Sequence, residues 1–106
     1  MTIKPTVGRM VWYRPNERDV NAGGMFAHSG DDPQPFHAMV VFVHSDFAVN
    51  LVVYDHRGTQ FARPSVHLAQ DGGPARLQGE AYCEWMPYQK GQAAKAEALE
   101  QELKRQ

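Results

Sequence analysis

Five histidines are the first residues in this chain with chemistry to offer: His28, His37, His44, His56 and His67. A neutral imidazole is the commonest metal ligand, yet none of the five stands at an H-x-x-x-H or H-E-x-x-H spacing. His44 and His67 fall near the ends of predicted strands, where Asp46, Asp55 or Cys83 could complete a tetrahedron. Such loose spacing is met more simply by scattered surface histidines, so no metal is expected. A hydrolase would need a nucleophile beside a base, and the candidates are Ser45, Ser65 and Cys83. Ser45-Asp46 reads better as turn chemistry, and Cys83 lies mid-strand between Tyr82 and Glu84, the setting of a buried, inert thiol. Gly23-Gly24 and Gly72-Gly73 lack the following helix and lysine of a phosphate loop. No catalytic residue and no cofactor is expected, although glycine- and aspartate-rich loops beside a barrel mouth are common places for ligand contacts.

The aromatic residues say more. Trp12, Tyr13, Phe36, Phe42, Phe47, Tyr54, Phe61, Tyr82, Trp85 and Tyr88 outnumber what a core this small must bury. Those left at the surface next to Arg9, Arg14, Arg57 or Arg63 would form a stacking platform with phosphate partners, suited to a nucleotide or a single strand. Trp12, Tyr13, Arg14, Arg63 and Trp85 are the residues chosen for ligand contact. The plainer alternative is that the aromatics fill the core and the seam of a helix.

The chain must supply elements to hold these groups. Its 106 residues suit one hydrophobic core. A net charge of -1 removes the simplest electrostatic case for non-specific binding to nucleic acid or anionic lipid. One cysteine allows no intrachain disulfide, which fits a reducing cytosol. Residues 1–6 lack the apolar core of a signal peptide, and the longest apolar run, residues 38–43, is far short of a membrane span, so neither export nor membrane insertion is expected.

Five strands are predicted, over about 7–14, 37–44, 48–55, 59–67 and 80–86. In the first, Val7, Val11 and Tyr13 are expected to face the core. Residues 15–36 read as one long loop, with Met25-Phe26 as a hydrophobic anchor. The run at 38–43 suits a central strand covered on both faces. Ser45-Asp46 makes a hairpin turn, Gly58 suits a positive φ, and Pro64 marks an edge strand or a bulge. Residues 89–105 are rich in Gln, Lys, Ala, Glu and Leu and form a helix whose apolar stripe, Ala96, Leu99 and Leu103, is thin, with Glu100 and Lys104 as an i,i+4 pair. The sum is a mainly β domain: a small five-stranded, partly open barrel of the SH3-like or OB-like kind with a C-terminal α-helix, a β-sandwich being the runner-up.

The stretches Lys4-Pro5-Thr6-Val7-Gly8-Arg9-Met10-Val11-Trp12-Tyr13 and Cys83-Glu84-Trp85-Met86-Pro87-Tyr88-Gln89-Lys90-Gly91-Gln92-Ala93 resemble small proteins of tailed bacteriophages and prophages. The resemblance covers the two ends of the chain and implies a phage origin and the cytoplasm of a bacterial host; it transfers no site residue. The expected function is a non-enzymatic accessory binding protein, an inhibitor or sponge of a host-defence component such as a nucleotide-type signalling molecule or a host defence protein. A protein-interaction or virion-accessory module using the sheet edge and residues 85–88 is the alternative, and SH3-like nucleic-acid binding a weaker one. A homo-oligomer is expected under either of the first two, because strand edges and amphipathic helices are ready association surfaces.

Overall fold

The computed structural model describes residues 2–30 and 33–105. Five strands, β1 (Met10–Arg14), β2 (Phe36–Ser45), β3 (Ala48–Tyr54), β4 (Gln60–Ala69) and β5 (Tyr82–Glu84), form a closed barrel in sequential order. A short helix, α1 (Glu17–Asn21), follows β1, and a long one, α2 (Pro87–Lys104), follows β5. β1 to β4 are antiparallel neighbours, whereas β5 lies parallel to β4 and antiparallel to β1. The barrel is thus closed where a partly open one was expected. The reason is that β5, only three residues long, pairs with both of its neighbours at once.

Strand parity builds the core. Val11 and Tyr13 of β1, Phe36, Ala38 and Val40 of β2, Val49, Leu51 and Val53 of β3, Val66 and Leu68 of β4 and Cys83 of β5 point inward and are buried, with Trp85 sealing one end. Val7 does not join them and is 67% exposed. Gly8, at φ +95°, turns the chain just before β1, and its N–H donates to the Val40 carbonyl, so the alternation that runs through Val11 and Tyr13 stops short of Val7. β2 departs from expectation too. Its inner residues are buried, but Val41 and Phe42 on the outside are 40% and 52% exposed, because no second layer covers the outer wall. At Pro64, which has no N–H to give, the β3–β4 register shifts between Val49 and Leu51, and Asn50 Oδ1 instead accepts the Ser65 N–H at 2.7 Å.

The segment expected as a loop from 15 to 36 contains α1, capped reciprocally: Asp19 N–H donates to Asn16 Oδ1 at 2.8 Å and Asn16 N–H to Asp19 Oδ2. Asp31 and Asp32, assigned to the same loop, lie outside the described residues. Met25 anchors the segment, 2% exposed in the core cluster. α2 starts at Pro87, a residue pre-set for the first helical turn. Only Gln89 is buried and Ala93 half-buried, and every residue from Ala94 to Arg105 is exposed. The helix therefore projects from the barrel, and the molecule measures 56 × 29 × 25 Å.

Candidate ligand-binding face

The five residues chosen from the sequence do not converge. Tyr13 and Trp85 are 1% exposed and belong to the core. Trp85 donates its indole N–H to Gln70 Oε1 at 3.0 Å, which leaves no polar atom of the side chain for a ligand. Arg63 stands on β4 opposite Leu51, its Nε 3.1 Å from Asp19 Oδ1, while the Tyr13 hydroxyl donates to Asp19 Oδ2. Burial, then the hydrogen bond to Asp19, raises the Tyr13 phenol well above its ordinary range. This triad ties α1 to the barrel; Gly23 packs so close that a Cβ there would meet the Asp19 carbonyl at 2.7 Å.

A second polar knot holds the rest of the loop. Asp55 accepts the Phe26 N–H through Oδ2, and the Arg57 and Thr59 N–H groups through Oδ1, all at 2.9 Å. Burial pushes the carboxyl up, but these three donors and the Arg57 charge outweigh it and hold the group below its ordinary value. His56 accepts the His28 N–H at Nδ1 at 2.8 Å, so its proton sits on Nε2, facing the carbonyls of Gln34 and Pro35. Among the described residues no group of three or more His, Cys, Asp and Glu is arranged to hold a metal ion. Cys83 is enclosed in the core, and burial pushes its thiol up to about 12.

Trp12 and Arg14 remain, and both lie on the outer wall, half-buried, because they alternate with Val11 and Tyr13. Arg14 stands opposite Tyr82 in the β1–β5 ladder. Its guanidinium lies 5.6 Å from the Trp12 ring centroid, and its Nε is 2.8 Å from Glu84 Oε2. Beside this pair the Arg76 guanidinium covers the Tyr82 ring at 4.1 Å. Two cation–aromatic stacks thus stand on adjacent strands. The row continues through cross-strand partners: Trp12 is opposite His37, and His37 opposite Tyr54, their rings 5.8 Å apart.

Next to the stacks is an open groove of about 830 Å³, with Asn16, Arg18, Arg76 and Glu80 on its walls. A smaller hollow of about 160 Å³ at Gln70 and Trp85 falls below the roughly 300–1,000 Å³ that small-molecule sites need. Arg14 is neutralised by Glu84, whereas among the described residues no carboxylate pairs with Arg18 or Arg76. A guanidinium stacked on a ring still presents N–H groups at its edge; Arg76 Nη1 donates to the Glu80 carbonyl at 3.3 Å, and the rest of that edge matches the oxygens of a phosphate.

Of the residues on this face, sequence reasoning chose Trp12 and Arg14, counted Tyr54 and Tyr82 among the surplus aromatics and His37 among the histidines without choosing them, and did not name Arg76. Tyr82 was legible from its alternation with buried Cys83, and His37 and Tyr54 follow once the register is known. Arg76, in the loop between β4 and β5, had no periodic pattern to reveal it. Compared with known protein families, characterised proteins and solved structures, the chain matches none of them.

Proposed function

We propose that this protein is a non-enzymatic binding protein that holds a planar, phosphate-bearing molecule of the nucleotide type against the outer wall of β1 and β5. The observation that carries this reading is the pair of adjacent stacks, Arg14 on Trp12 and Arg76 on Tyr82, beside a groove with Arg18 on its wall. Rings and guanidinium planes offer stacking faces to a base, and the guanidinium edges of Arg76 and Arg18 take phosphate oxygens. With the resemblance of its two ends to small phage and prophage proteins, the reading becomes that of an accessory protein. It sequesters a nucleotide-type signal of host defence in the bacterial cytoplasm.

Native mass spectrometry of the protein recovered from bacterial lysate tests this directly, followed by calorimetric titration with mononucleotides and cyclic dinucleotides. An added mass of a small molecule is expected. Arg76→Ala and Trp12→Ala should each weaken its binding by about tenfold or more in a folded protein. Bare protein in every lysate, or full affinity in both variants, sinks the reading.

A second reading, a protein-interaction or virion-accessory module, draws on a different observation. Beyond Val40, β2 has no β1 partner among the described residues, and this length carries exposed Val41 and Phe42. A co-purifying protein that is lost on Phe42→Asp would favour it over a small-molecule ligand.

A further inference from the structure

We propose that α2 pairs antiparallel with α2 of a second copy, the C-terminal half of each helix lying in the groove between the other's helix and barrel. The groove runs along the N-terminal half of α2, with Ile3, Arg9 and Met10 on the barrel side and Gln92, Ala93 and Ala96 on the helix side. Its floor is apolar, Met10 being 44% exposed, and Arg9 puts a positive charge on its wall. The C-terminal half of α2 has the complementary chemistry. Leu99 and Leu103, each 62% exposed, share one face, and Glu97, Glu100 and Glu102 make the segment just past the helix centre acidic.

Spacing sets the direction. Gln92, Ala96, Leu99 and Leu103 recur at intervals of four, three and four, a two-helix seam. Antiparallel pairing sets Leu99 against the second copy's Ala96 and Leu103 against its Gln92, at the groove beside Met10. It also brings Lys95 opposite the second copy's Glu102, and by symmetry the same contact forms twice. Antiparallel alignment opposes the two helix dipoles favourably as well. An 18-residue helix spans about 27 Å. An isolated helix of that length is marginal in water, so a partner along its exposed face explains how so open a helix is kept.

Sedimentation equilibrium on the full chain across a concentration series tests the pairing, and a monomer–dimer equilibrium is expected. Leu99→Asp should weaken dimerisation by at least about tenfold while Trp85 fluorescence reports an intact barrel. Lys95→Glu and Glu102→Lys should each weaken the dimer, and the double variant should recover it, a result that a purely structural role would not give. Chains carrying Gln92→Cys should cross-link to chains carrying Leu103→Cys but not to themselves; the buried Cys83 does not compete. A monomer up to millimolar concentration, a dimer indifferent to Leu99→Asp, no recovery in the charge swap, or self-cross-linking at either position overturns the proposal.

Discussion

The loop between β1 and β2 and the helix α2 invert the relation between local propensity and tertiary anchoring. The loop has almost no apolar periodicity, yet long-range ties hold it: Met25 in the core, Asp19 to Tyr13 and Arg63, Phe26 to Asp55, and His28 to His56. α2 is built from strong helix formers, yet what ties it to the barrel is the Gln89 side chain, whose Nε2 donates to the Met10 carbonyl at 2.9 Å. Intrinsic preference determines which conformation a segment adopts. Buried polar contacts determine whether it is fixed in place.

Removing the anchors should break that contrast in a graded way. The largest effect is expected from Asp19→Ala, which strands the Tyr13 hydroxyl and unpairs Arg63; chemical denaturation followed by tryptophan fluorescence should show a loss of about 2–4 kcal/mol. Asp55→Asn comes next, at about 1–3 kcal/mol, because an amide cannot accept all three backbone donors as well as a carboxylate. Asp55 titrates below its ordinary value in the folded state, so its contribution is complete above the ordinary carboxylate range and is lost as pH falls through the folded value. The acid limb of a stability–pH curve should therefore flatten in Asp55→Asn. Gln89→Ala should cost only about 1 kcal/mol and show mainly as faster amide exchange in the first turns of α2. Smallest of all, Leu103→Ala at a concentration low enough to keep the chain monomeric should change unfolding by no more than about 0.5 kcal/mol. A large effect there would mean that the leucine packs on its own barrel.

Much of the barrel was legible because alternation is a local signal. The core residues of β3 follow from a period of two, and the hairpin at Ser45-Asp46 and the anchor at Met25 from side-chain type. The exposure of Val7 was not legible, since parity stops at a glycine whose φ is known only once the chain is folded. Closure was equally hidden, because β5 offers three residues and its parallel pairing with β4 depends on the path of the intervening loop. At the candidate face, sequence could mark Trp12 and Arg14 as aromatic and cationic neighbours. Strand phase already put Tyr13 on the core face, although it was also chosen for ligand contact; the burial of Trp85, just past β5, followed from no local pattern.

The same short β5 sets the order in which the molecule can assemble. β2, β3 and β4 form a meander joined by tight turns, whose contacts close over few residues and can form early. β1 meets β5 only across about seventy positions of chain, as in the pairing of Tyr13 with Cys83. Loop-closure entropy for that pairing must be met by a ladder of three residues, so it waits until the meander exists to template it. Closing the ring is the late step of folding. The wall that carries Trp12, Arg14 and Tyr82 comes into being only when that step completes, so a half-folded chain lacks the candidate face.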